Sequence, residues 1–127
     1  RTKELIERGL KKFHSKINKN RNSLVSIARV SKHPLQSFKK DKIFMRPYLA
    51  NNKVNLQSQN LNDVFAPTGS LYIADAKKFL KEKTFFSNKT MFIETKYEYE
   101  NLDVDEKYDF ELAKAILKYG KEKFKNI

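Results

Sequence analysis

The run Ser23-Leu24-Val25-Ser26-Ile27-Ala28-Arg29-Val30 constrains the fold more than any other segment. It is apolar and β-branched with no helical period, and it reads as a buried strand. Such a strand needs neighbours in the sheet and helices to cover it. Thr2 caps a helix expected from Lys3 to about Ile17, with Leu5, Ile6, Leu10 and Phe13 at helical spacing. Lys32-His33-Pro34 breaks the first strand, since a residue before proline is pushed away from helix. Lys42 to Arg46 reads as a second short strand, and Pro47 to Asn62, rich in Asn and Gln, as an excursion. Pro67-Thr68-Gly69 is a turn signal before a strand at Ser70 to Ala74. Asp75 then caps a helix through about Lys83, with Ala76, Phe79 and Leu80 inward. Thr90 to Glu94 is a further strand. A last helix is expected from about Lys107 to Phe124, with Phe110, Ala113, Ile116 and Leu117 as its apolar stripe. Strands alternating with helices predict one α/β domain, or a piece of one, with a mostly parallel sheet flanked by helices.

Charge and composition narrow the function classes. The 127 residues carry 27 Lys+Arg against 15 Asp+Glu, a formal net charge of +12. That balance suits a small basic module binding nucleic acid, whose affinity would fall steeply with salt. It equally suits lysines dispersed over helix surfaces. There are only five arginines, Arg1, Arg8, Arg21, Arg29 and Arg46, and phosphate or base recognition usually leans harder on Arg. Dispersed, solvated lysines are therefore the favoured reading. No apolar run approaches the roughly 20 residues of a membrane span. The absence of cysteine excludes disulfides, Cys-ligated zinc and thiol chemistry. The polar start Arg1-Thr2-Lys3-Glu4 is unlike a signal peptide, so a cytoplasmic location is expected. Gly9, Gly69 and Gly120 build no phosphate loop, and no Ser-His-Asp set can be assembled. His33 reads as a turn residue and His14 as solvated.

Two constellations remain. Leu102-Asp103-Val104-Asp105-Glu106 reads as a strand end opening into a helix. Alternate residues of an extended segment share a face, so Asp103 and Asp105 can converge on one point. Two hard oxygen ligands with room for water and phosphate oxygens suit Mg²⁺. The structural alternative is that Asp105 is the helix N-cap, with Glu106 favourable in the first turn. The second constellation is Tyr72 with Phe85 and Phe86. Adjacent aromatics after a helix are most often core, and otherwise form a pocket wall to which Tyr72 adds a hydroxyl.

The order of segments resembles the C-terminal half of the CMP-N-acylneuraminate (sialic acid) synthetases, the acylneuraminate cytidylyltransferases. Arg1-Thr2 before a helix is similar to the end of the family's "TSPLR(T)" segment. Ser23 to Val30 followed by His33-Pro34-Leu35 resembles "SVVS…HPL". Phe65-Ala66-Pro67-Thr68-Gly69-Ser70-Leu71-Tyr72-Ile73 with Phe85-Phe86 resembles "F-x-P-N-G-A-I-Y-I…F-F". Leu102-Asp103-Val104-Asp105 with Asp109 and Leu112-Ala113 resembles "S-I-D-I-D…D-L-x-x-A-E".

The resemblance implies a nucleotidyltransferase-type, Rossmann-like domain. It also implies a reaction in which the anomeric hydroxyl of a nine-carbon sugar acid attacks the α-phosphate of CTP, releasing pyrophosphate. It implies Mg²⁺ on Asp103 and Asp105, sugar contacts from Tyr72, Phe85 and Phe86, and a homodimer formed through an excursion at about residues 38–62. The family's "R-Q-x-L-P" reads Ser58-Gln59-Asn60-Leu61-Asn62, so Gln59 takes the matching substrate-binding place without the preceding arginine. Pro-Asn-Gly reads Pro67-Thr68-Gly69, and the basic residue often found after His-Pro-Leu is Gln36. These departures leave the identity of the sugar acid open. The family's nucleotide-binding half matches nothing in these 127 residues, so CTP turnover by this stretch alone is not expected. Beside the enzyme reading stand the basic nucleic-acid module and an inactive dimerisation fragment.

Overall fold

The computed structural model describes residues 2–15, 20–49 and 61–120. Along the chain run α1 (Lys3–Phe13), β1 (Ser23–Arg29), β2 (Phe38–Asp41), β3 (Phe44–Pro47), β4 (Phe65–Ala74), α2 (Ala76–Glu82), β5 (Thr90–Glu94) and α3 (Lys107–Tyr119). They fall into two units, Arg1–Ala28 with Pro67–Ile127, and Arg29–Ala66.

In the first unit β1 is central, as its apolar run requires, and the sheet order is β4-β1-β5. β1 and β5 are parallel, with Ser23 opposite Thr90 and Ile27 opposite Glu94. β4 runs the other way: Asp75 N–H donates to the Asn22 carbonyl at 3.0 Å, while Ser26 Oγ lies 2.8 Å from Thr68 Oγ1. The expected mostly parallel sheet is therefore corrected to a mixed one. A parallel return needs a crossover, usually a helix. Among the described residues the link from β1 to β4 carries a hairpin instead.

One face of this sheet receives α1. Leu24 on β1, Leu71 and Ile73 on β4, and Met91 and Ile93 on β5 pack with Leu5 and Phe13 of the helix. Leu71 and Ile73, like Met91 and Ile93, are two apart and so share a face. Gly9 makes the close approach possible, since a Cβ there would lie 2.4 Å from Leu71 Cδ2. Ile6 and Leu10, expected inward, remain substantially exposed. Thr2 caps the helix as expected, accepting from Leu5 N–H at 3.1 Å. The helix ends at Phe13 rather than near Ile17, with His14 N–H on the Leu10 carbonyl and Arg21 donating to the Ser15 carbonyl.

The other helices depart from expectation by a fraction of a turn. Asp75 caps α2 through Lys78 N–H at 3.0 Å, but Leu80 is 74% exposed. Successive helical residues point about 100° apart, so turning Phe79 onto Phe85 swings Leu80 away. In α3 the buried residue is Ile116, flanked by half-buried Leu112 and Ala113, while Phe110 and Leu117 are exposed. Residues 121–124, expected to continue α3, lie outside the described residues.

The second unit is a hairpin between tied ends. Val30 N–H donates to the Val64 carbonyl at 2.9 Å, and Arg29 pairs with Asp63 at 2.6 Å. The single strand expected at Lys42 to Arg46 is corrected to two antiparallel strands, β2 and β3. Phe38 faces Pro47, and Asp41 faces Phe44. Lys42 occupies the turn at φ 55°, a conformation the sequence does not advertise because glycine or asparagine usually takes it. His33 Nδ1 accepts from Leu35 N–H, which bears out its reading as a turn residue. Among the described residues no helix is long and apolar enough to cross a membrane.

Candidate functional site

Strand β4 connects the two constellations. Its expected turn, Pro67-Thr68-Gly69, lies inside the strand, and Gly69 takes φ 73°. The ladder is interrupted there: Leu71 N–H donates to the Ser26 hydroxyl at 2.9 Å, and the same hydroxyl pairs with Thr68. A side chain would be strained at this φ, so glycine is required. A Cβ on Gly69 would also sit 3.4 Å from Asp103 Oδ2, which places the Asp103 carboxylate directly against this kink.

Farther along β4, Tyr72 alternates with Leu71 and Ile73 and so faces away from α1. Its ring meets Phe85 at 5.1 Å and Phe86 at 6.3 Å, the latter edge-on at 87°. The three aromatics named from the sequence are thus brought together. Their loop is fixed by hydroxyls: Ser23 Oγ and Thr90 Oγ1 both donate to the Phe85 carbonyl, and Thr84 Oγ1 accepts from Phe86 N–H at 3.0 Å. Phe85 is half-buried, while Tyr72 and Phe86 are 38% and 53% exposed. Two of the three are therefore open to solvent rather than core. Gln59 lies outside the described residues.

The segment carrying Asp103 and Asp105 is corrected in type. It is an irregular connector from a 3₁₀ turn at Glu98–Glu100 to α3, not the end of a strand. The N-cap is Glu106, not Asp105. Asp109 Oδ2 accepts from Glu106 N–H at 2.9 Å and from Asp105 N–H at 3.2 Å, closing a capping box. Both Asp103 and Asp105 are exposed. Neither carboxylate makes a hydrogen bond or ion pair within the described residues. Asp103, but not Asp105, lines a cleft of about 460 Å³ together with residues that include Asn101, Leu102, Asp109, Leu112 and Ile116.

Among the described residues no group of three or more Asp, Glu or His is placed to hold a metal. Mg²⁺ typically keeps several waters and takes one or two carboxylates plus phosphate oxygens, which two solvated aspartates can offer.

The residue that sequence reasoning missed is Glu100, which is fully buried. Its carboxylate accepts from Thr2 Oγ1 at 2.9 Å, Arg8 Nη2 at 3.1 Å and Lys96 N–H at 2.7 Å. A signal for it existed in α1. Arg8 follows Leu5 by three and precedes Phe13, so it flanks the inward face, where a cation needs an anionic partner.

Among proteins of known sequence, the chain is 31% identical over 90 residues to N-acylneuraminate cytidylyltransferase of Streptococcus agalactiae serotype III (strain NEM316), covering 70% of this chain and 21% of that protein. The enzyme of the same name from serotype V (strain ATCC BAA-611 / 2603 V/R) is 30% identical over 90 residues, with the same coverage. No protein-family model matches. The chain spans about a fifth of the length of the curated relatives it matches. Over these 90 residues the chain is similar to N-acylneuraminate cytidylyltransferases, the family its motifs resemble.

Proposed function

We propose that this chain is part of a nucleotidyltransferase-type domain that activates a sialic-acid-like sugar acid with CTP, yielding a CMP-sugar and pyrophosphate. The observation that carries the reading is the placement of Asp103 against Gly69, which joins two motif segments widely separated in sequence. Asp103 and Asp105 would hold Mg²⁺, and the ion, when bound, would neutralise charge on the phosphoryl oxygens of the nucleotide. Tyr72, Phe85 and Phe86 would form the apolar wall of the sugar site. The Tyr72 hydroxyl would orient the substrate by hydrogen bonding. Gln59 would add a substrate contact from the excursion.

The excursion would also form a homodimer. Its hairpin leaves Ile43, Phe44 and Met45 at 89%, 66% and 71% exposed, an apolar surface that association would cover. A cytoplasmic setting, where CTP is available, belongs to the same reading. The relatives lend no support to the nucleic-acid and inactive-fragment alternatives.

The test is CTP-dependent pyrophosphate release with a panel of nine-carbon sugar acids, using the natural polypeptide that contains this chain. Release should require both substrates. It should fall by about a hundredfold or more in Asp103→Asn, a loss of roughly 2.7 kcal/mol or more in transition-state stabilisation. Release independent of the sugar acid, or unchanged in Asp103→Asn, would overturn the reading.

A further inference from the structure

Asp103 and Asp105 sit on a connector with no ladder of its own, so something else must fix their place. Two anchors bracket it. On the C-terminal side the Asp109 carboxylate holds the amides of Asp105 and Glu106. On the N-terminal side stands Glu100, and its contacts draw in three separate elements. Thr2 Oγ1 and Arg8 Nη2 reach it from α1, and Arg8 Nη1 donates to the Glu94 carbonyl at the end of β5. Lys96 N–H reaches it from the link after β5. The Glu100 carbonyl in turn accepts from Ser70 Oγ, one residue beyond Gly69 on β4.

From this geometry we infer that Glu100 is the positioning residue of the Asp103–Asp105 site. Its carboxylate locks the start of the connector to α1 and β5, and its carbonyl locks it to β4, so that Asp103 is presented against Gly69. Glu100 touches no substrate in this scheme and acts only through the two aspartates. The inference rests on the cation reading of those aspartates, and its test separates the two.

A fully buried carboxylate held by three donors can serve stability alone, so the test must read something that stability does not move. Leu24→Ala provides the control, because it removes a fully buried core side chain of β1 and leaves every hydrogen-bonding group on Glu100 in place. Glu100→Gln is compared with it at a temperature where circular dichroism shows both variants folded. Mn²⁺ serves as the paramagnetic probe. Glu100→Gln should weaken Mn²⁺ binding by about tenfold or more, as loss of an outer-shell partner typically does, while Leu24→Ala leaves it unchanged.

The second readout needs no metal. The heteronuclear NOE of the Leu102 to Asp105 amides should fall in Glu100→Gln and hold in Leu24→Ala. Unchanged amides in folded Glu100→Gln would overturn the inference. If the amides loosen but wild-type Mn²⁺ binding is insensitive to Asp103→Asn, the cation reading fails while the positioning role stands. Should Glu100→Gln not fold, Arg8→Lys keeps the charge, removes the two-nitrogen reach to Glu100 and Glu94, and is read by the same amides.

Discussion

Residues 1–28 with 67–127 and residues 29–66 use their apolar side chains in opposite ways. In the first unit Leu5, Leu24 and Val25 are 2% exposed or less, and α1 lies so close to β4 that a Cβ at position 9 would press on the Leu71 side chain. In the second, Phe44, Met45 and Ile43 point outward from a hairpin held by its ladder, its tied ends and the Asp41–Arg46 ion pair. Polar groups follow the same divide. Glu100 and Ser26 are fully buried and bonded in the first unit, whereas the Arg29–Asp63 and Asp41–Arg46 pairs of the second are open to solvent. An exposed pair is worth about 0–1 kcal/mol, so such pairs set geometry more than stability. The contrast teaches that one unit carries its own core, while the other leaves Ile43, Phe44 and Met45 open to solvent.

That contrast can be broken from either side. The largest effect should come from Leu24→Ala, which empties the centre of the first unit's core. Equilibrium urea unfolding should lose about 2–5 kcal/mol, and a loss well below that would mean the core is not where the burial places it. The smallest effect on unfolding should come from the double variant Phe44→Ser, Met45→Ser on the exposed hairpin. The change should stay within about 0.5 kcal/mol under conditions where the chain is monomeric. Sedimentation velocity at rising concentration should nonetheless show self-association of the wild type that the double variant lacks. Equal association by both would remove the hairpin as the dimer surface.

Much of this architecture was legible. The buried strand at Ser23, the caps at Thr2 and Asp75 and the strands at Ser70 and Thr90 are local patterns, and each formed where its own residues dictate. The aromatic cluster was legible as well, because Tyr72 and Phe85-Phe86 carry the family's spacing. Strand direction was not, since a buried strand looks the same read toward either neighbour. Side-chain phase in α3 failed because Phe110 and Leu117 satisfy the helical period yet lie just off the inward face set by Ile116. Glu100 was hidden for a different reason. A glutamate in an acidic stretch looks solvated, and only the arrival of Arg8 and Thr2 from the opposite end of the chain makes it a buried anchor.

In the proposed site the connector after Glu100 would present Asp103 and Asp105 to one cation. Mn²⁺ titration of this chain, followed by water-proton relaxation, tests it most directly in the wild type and in the double variant Asp103→Asn, Asp105→Asn. The account predicts saturable binding by the wild type that the double variant lacks, with both chains equally folded by circular dichroism. Equal binding by the two would place any cation elsewhere and contradict the site.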